Sequence, residues 1–159
     1  MITLEQCENT KHDAKIAFQW RNDARTIESS EVRRPKSWDS FWLEFSECYF
    51  DALCPVFVKD GGSFAGFIRF DAAGEGTLEI VINIAPEFRG MGIGTEALAL
   101  VKNYARDNGF SRLAADIRAT NKASLAAFRK AGYAVEGTRT QIIQRTKEKC
   151  SIVRVFCLL

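Results

Sequence analysis

Histidine is almost missing from this chain: His12 is the only one among 159 residues. A Ser-His-Asp or Cys-His mechanism, or a multi-histidine metal centre, therefore has little to be built from. His12 itself lies in a polar stretch that reads as surface. The cysteines Cys7, Cys48, Cys54, Cys150 and Cys157 are odd in number and contain no C-x-x-C pair. That pattern supports neither a disulfide framework nor a zinc site, and most of these thiols read as small buried hydrophobes. No apolar run approaches the length of a membrane span, and Met1-Ile2-Thr3-Leu4-Glu5 lacks the charged start and apolar stretch of a leader. The net charge of +2, with no sustained basic helix or basic-aromatic repeat, gives bulk nucleic-acid binding no footing. These absences predict a cytoplasmic protein without a metal, a nucleic-acid partner or a membrane anchor.

The residues that are present predict a folded enzyme-sized unit. With 47% hydrophobic residues and no internal repeat or composition break, residues 1–159 read as one domain with its own core. The most informative run is Arg89-Gly90-Met91-Gly92-Ile93-Gly94. Before it, Leu78 to Ile84 alternates, with Ile80, Ile82 and Ile84 on one face and Glu79, Val81 and Asn83 on the other, which is strand periodicity. Pro86 ends that strand because it has no amide to donate. From Thr95, apolar residues recur at helical spacing as far as the stop signal Asn108-Gly109. Glycines at alternate positions let backbone amides approach an anion, the helix N-terminus adds its positive dipole end, and Arg89 adds a fixed charge.

Other glycine loops fit less well. A dinucleotide fingerprint needs a third glycine where Thr95 stands, and a Walker A loop needs a Gly-Lys-Ser/Thr ending that is absent. R-x-x-G-x-G after a strand resembles the first signature of the GNAT acetyltransferases, which use acetyl-CoA. Asn121 to Tyr133, an asparagine opening a short helix that ends in Gly-Tyr, resembles the second. The resemblance implies a mixed, mostly antiparallel α/β sheet with about four helices, whose fourth and fifth strands splay so that the pantetheine arm lies between them. It implies that Ile84, Arg89, Gly90, Met91, Gly92, Ile93, Gly94, Thr95, Asn121 and Phe128 contact acetyl-CoA. Asn121 is expected to cap its helix and also meet the cofactor.

The remaining segments follow the family order. Ile2 to Cys7 reads as a strand, Lys11 to Trp20 as a helix, and Arg21-Asn22-Asp23 as a loop. Trp38, Phe41, Trp42, Phe45 and Tyr49 lie on one stripe of a helix beginning near Ser37. Val56 to Val58 and Ser63 to Phe70 are strands across the Lys59-Asp60-Gly61-Gly62 turn. Leu113 to Ile117, Ala134 to Gln144 and Cys150 to Leu159 are the last strands.

GNAT chemistry needs no metal and no covalent nucleophile, because an amine attacks the thioester directly. Glu79 resembles the strand-four glutamate that serves as general base in the family's histone acetyltransferase branch; the alternative is a carboxylate on a wet sheet face, paired with an arginine. Many members place a proton-donating tyrosine seven residues after the asparagine, but Phe128 stands there and cannot donate. Ser124 matches a serine of the Rim-type branch and is the candidate donor, against the alternatives of a plain helix-surface hydroxyl and a thiolate protonated by solvent. Tyr133 sits where a core phenylalanine is usual, so core packing is expected of it.

The N-terminal third is expected to select the acceptor. Trp20 to Arg25, Ser29-Ser30 and Ser37 to Trp42 resemble members that acetylate nucleotide-linked amino sugars. Arg21, Arg25, Arg33, Arg34 and Lys36 crowd one segment, and arginine forks suit a diphosphate. Arg21 and Asn22 are the candidate acceptor contacts, while the tryptophans are expected in the core. The expected function is acetyl transfer to a small-molecule primary amine by a monomer or homodimer. A Rim-type protein N-terminal acetyltransferase and a CoA-binding module without turnover are the alternatives.

Overall fold

A computed structural model describes residues 1–30, 34–143 and 146–159, so Arg33 and Gln144 of the expectations above lie outside the described residues. The elements run β1 (Ile2–Gln6), α1 (Lys11–Arg21), α2 (Ala24–Ser29), α3 (Trp38–Cys48), β2 (Leu53–Asp60), β3 (Ser63–Ala72), β4 (Thr77–Ile84), α4 (Ile93–Asp107), β5 (Arg112–Arg118), α5 (Lys122–Lys130), β6 (Ala134–Ile142) and β7 (Lys149–Leu158). A 3-10 turn, Pro86–Phe88, joins β4 to the glycine loop. The sheet order is β1-β2-β3-β4-β5-β7-β6, antiparallel everywhere except between β4 and β5.

Each helix starts where a side chain accepts from an otherwise unpaired amide of the first turn. Thr10 accepts from Asp13 N at 3.2 Å, Asp23 from Thr26 N at 3.2 Å, Ser37 from Ser40 N at 3.3 Å and Asn121 from Ser124 N at 3.2 Å. The exception is α4, whose cap is Gly92 in the left-handed region at φ 81°. Two points differ from the sequence expectation. α4 begins at Ile93, two residues before Thr95, and α2 is an additional helix, so five α-helices form among the described residues instead of about four. α2 has six residues and none of them is buried, so it carries no apolar period from which it could be read.

Strand alternation divides the core in two. Ile68, Phe70, Leu78 and Ile80 face α4, packing with Ala97, Leu98 and Val101. On the opposite face, Phe57 and Phe67 meet Trp20, Phe41, Phe45 and Tyr49 of α1 and α3. The aromatic stripe of α3 thus packs inward, as expected, with Phe45 fully buried and 5.4 Å from the Tyr49 ring centroid. Burying one such ring is worth roughly 1.5–3 kcal/mol. The tryptophans follow the same rule, with Trp20 buried and Trp38 and Trp42 stacked at 6.2 Å on the half-buried side of α3.

Candidate active site

The parallel pairing of β4 with β5 lasts only from Thr77–Arg112 to Glu79–Ala114. Beyond Glu79 the two strands part, so the β5-facing edge of β4 from Ile80 to Ile84 has no ladder partner there. On its other edge β4 stays paired with β3 as far as Ile84–Gly66. A Cβ on Gly66 would come within 2.7 Å of Asn83 O and 2.9 Å of Ile84 Cδ1, so this glycine is required by the close approach of the Ile84 wall. Glu79 stands at the vertex of the V, and the glycine loop lies beyond its open end.

Between Arg89 and Thr95 the amides of Gly90, Met91, Gly92, Ile93 and Gly94 donate to no acceptor among the described residues. Gly90 and Gly92 adopt φ of 76° and 81°, and a Cβ at either would meet nothing within 4 Å. This open concave row of donors at the start of a fifteen-residue helix is the form that receives a phosphate. The residues present therefore fit the pyrophosphate of acetyl-CoA. A cleft of ≈ 810 Å³ runs past the loop, and Ile84, Arg89, Gly90, Gly92, Ile93, Gly94, Thr95, Asn121, Ser124 and Phe128 all line it. Met91 is not among its lining residues, and its side chain is exposed.

Arg89 differs from the expectation of a free fixed charge. Its Nε donates to Ile84 O at 3.0 Å and its Nη2 to Asp23 Oδ2 at 2.6 Å. Burial opposes ionisation of Asp23, but hydrogen bonds from Arg89 and Thr26 outweigh it and hold the carboxyl below its ordinary range. Arg89 is thus a latch from the end of β4 to the cap of α2, and its charge is largely met by Asp23.

Asn121 caps α5 through Oδ1, and its Nδ2 makes a long 3.4 Å contact to Ser29 Oγ. The Ser124 hydroxyl has no partner among the described residues. Phe128 is buried, edge-on to Tyr133 at 5.0 Å. The Tyr133 hydroxyl donates to Leu98 O at 3.4 Å, and burial pushes its pKa up, so this phenol is a core group. Glu79 Oε2 accepts from Arg154 Nη1 at 3.2 Å. The same guanidinium binds Asp116 at 2.8 Å and Glu136 at 3.4 Å; Glu79 lines the cleft, and its Oε1 accepts no hydrogen bond among the described residues.

The opposite wall comes from α1, α3 and β3. Asn22 is a second departure: its side chain donates to Lys36 O at 2.8 Å and accepts from Lys36 N at 2.9 Å. It clamps the segment before α3 and does not line the cleft. Arg21 does line it. Beside it lie groups the sequence did not single out as a site. Arg69 pairs with Glu44 at 3.1 Å and Asp71 at 3.3 Å and stands 4.7 Å above the Tyr49 ring. Lys36 also pairs with Glu44. The only sequence signal for Arg69 and Asp71 was their place in an otherwise apolar strand, where a charge is expensive unless paired.

With this geometry in place, the comparisons with known proteins agree. Residues 16–133 match the acetyltransferase (GNAT) family, and the chain belongs to that family. It is an acetyl-CoA-dependent N-acetyltransferase. No curated protein sequence matches the chain. Among solved structures it is similar to a spermidine N-acetyltransferase from Vibrio cholerae in complex with CoA and spermine (TM-score 0.85, 16% identity, 99% of this chain and 95% of that one). It is also similar to a phosphinothricin acetyltransferase from Sinorhizobium meliloti in complex with acetyl-CoA (0.83, 20%, 99% and 88%). A third is a ribosomal-protein-alanine N-acetyltransferase from Brucella melitensis (0.80, 22%, 99% and 99%). At these identities the likeness establishes the shared fold and leaves the acceptor open. No described helix is long and apolar enough to cross a membrane.

Proposed function

We propose that this enzyme acetylates the primary amine of a small acceptor by direct attack in one ternary complex, with Glu79 as general base and Ser124 as proton donor. The observation that carries the proposal is the V between β4 and β5, with five free amides beyond its open end and an uncommitted carboxylate oxygen at its vertex. Acetyl-CoA, when bound, supplies an activated thioester. Gly90 to Gly94 hold its pyrophosphate, Ile84 and the unpaired edge of β4 flank its arm, and Phe128 walls the reacting end. Glu79 Oε1 takes the proton of the incoming ammonium, directly or through one water. Ser124, with its hydroxyl free at the cleft, supplies a proton to the departing sulfur. A thiol leaves readily, so Ser124 has less to contribute than Glu79. Residues 1–159 act as one catalytic module, in the cytoplasm, as a monomer or homodimer.

For the acceptor, the finer reading is a nucleotide-linked amino sugar, supported by the cationic lining of Arg21, Arg25 and Arg118. A protein N-terminus is the second reading, favoured by Ser124 at the cleft. Thiol release from acetyl-CoA against UDP-amino sugars, amino acids, aminoglycosides, polyamines and short peptides tests both. One acceptor class with saturable turnover is expected. Turnover on peptides alone would replace the small-molecule acceptor with a protein one.

A further inference from the structure

Arg21 ends α1 and lines the cleft, yet its Nη1 is sealed from solvent and has no hydrogen-bond partner among the described residues. A buried unpaired donor on a cation is among the costliest polar defects a fold can keep. Glu44 attracts Arg21 from nearby, but no neighbouring carboxylate forms a hydrogen bond or ion pair with it among the described residues. Glu44 is held by Lys36 and Arg69, and Asp71 by Arg69. Arg69 Nε is itself buried and has no hydrogen-bond partner among the described residues. Arg21, Arg69 and Lys36 thus exceed Glu44 and Asp71 by one positive charge, in a pocket floored by the buried Tyr49 ring. Burial lowers the pKa of Arg21, and the opposing pull of Tyr49 and Glu44 does not cancel it.

This charge lies on the sheet face that carries the candidate base. Asp71 of β3 is the cross-strand partner of Glu79, and Arg69 is one pleat repeat further along, a distance of about 7 Å. A molecule presenting its amine to Glu79 would therefore extend an adjoining group toward Arg69 and Arg21. We propose that the acceptor is an anionic amine whose oxyanion, a carboxylate or a phosphate, docks on Arg21. The proposal rests on the acetyltransferase reading of this site and adds the charge of its acceptor. A guanidinium fork suits either oxyanion, and the same surplus charge disfavours a polycationic acceptor such as spermidine.

The test compares kcat/KM for amines that share an amino group and differ in the acid. The panel holds amino acids with their carboxamides and decarboxylated amines, phosphonate-bearing amines, UDP-amino sugars, spermidine and spermine. An acid should exceed its own carboxamide by about tenfold or more. Arg21→Gln should erase that preference through KM, and Arg21→Lys should restore part of it. Acetyl-CoA affinity by calorimetry should stay within about twofold in both variants. Removing a half-buried cation whose sealed Nη1 has no partner among the described residues should leave the thermal midpoint unchanged or raised, whereas a merely structural arginine would lower it. Preference for a carboxylate or for a UDP-amino sugar identifies the source of the oxyanion. Equal rates on acid and amide, preference for a polyamine, retained discrimination in Arg21→Gln, or silence on every acid while acetyl-CoA binds would each overturn the proposal. Loss of acetyl-CoA binding in the wild-type protein would instead strike the acetyltransferase reading beneath it.

Discussion

The two walls of the cleft are made of different material. On the cofactor side, β4, the glycine loop and α4 offer backbone: five free amides, an unpaired strand edge and a helix terminus. On the acceptor side, α1, α3 and β3 offer side chains, with Arg21, Tyr49 and Arg69 brought together from positions far apart in the chain. A backbone cradle dictates residue type at fixed local spacing, since φ of 76° and 81° at Gly90 and Gly92 suits glycine and strains most other residues. A side-chain wall dictates only that charges meet, and many sequences meet that demand. The proposed cofactor wall thus rests on local spacing, and the proposed acceptor wall on partners distant in the chain.

The strongest way to break the contrast is to put a negative side chain into the backbone wall. Gly92→Asp combines a left-handed φ, worth about 1–2 kcal/mol for an ordinary L-residue, with like charge at the amide row. Acetyl-CoA affinity should fall by about 100-fold or more, some 2.7 kcal/mol, measured by calorimetry. The next test moves to the vertex. Glu79→Gln should lower kcat by about 100-fold, in the range of lost general-base catalysis, with acetyl-CoA affinity unchanged. Full turnover across pH in that variant would remove Glu79 as base.

Arg89 sharpens the boundary between the walls. A latch and a direct pyrophosphate contact make opposite predictions for its partner Asp23. Acting as a latch, Arg89→Ala and Asp23→Ala should each weaken acetyl-CoA binding by about tenfold, and the double variant should be little worse than either. Were Arg89 a direct phosphate ligand, removing Asp23 would free its charge and strengthen binding. A smaller effect is expected at Ser124→Ala, about three- to tenfold in kcat, because a thiol leaving group needs little assistance. An unchanged rate would leave protonation of the thiolate to solvent.

The smallest effect is a dependence of stability on pH. Asp23 and Glu44 are held below the ordinary carboxylate range, hydrogen bonds and charge from their cationic partners overcoming burial. Asp116 is lowered first by the hydrogen bond from Arg139 and then by Arg154. Such groups bind fewer protons folded than unfolded, so their contribution is complete above about pH 5, past the unfolded carboxylate range. It is lost as pH falls through their lowered values. Denaturant titrations should show stability flat from neutral pH to about pH 5 and falling below it, with a shallower fall in Asp23→Asn.

The same difference in material decides what the sequence revealed. The alternation of Ile80, Ile82 and Ile84 against Glu79, Val81 and Asn83 shows in the structure as two sheet faces and two cores. The aromatic stripe of α3 and the cap at Asn121 were equally legible, since each rests on spacing within one helix. What escaped depended on distant partners. The role of Arg89 turns on Asp23, sixty-six residues away. Asn22, a candidate acceptor contact in the sequence, instead donates to and accepts from the backbone of Lys36. α2 escaped because a six-residue helix with no buried face leaves no periodic trace.

The central claim is that an open row of backbone amides from Gly90 to Gly94 holds acetyl-CoA. Calorimetric titration of the wild-type protein and of Gly92→Asp with acetyl-CoA tests it most directly. One saturable site in the wild type, weakened by about two orders of magnitude in a variant that remains folded by circular dichroism, is the predicted result. Equal affinity in the two proteins, or no binding to the wild type, would contradict it.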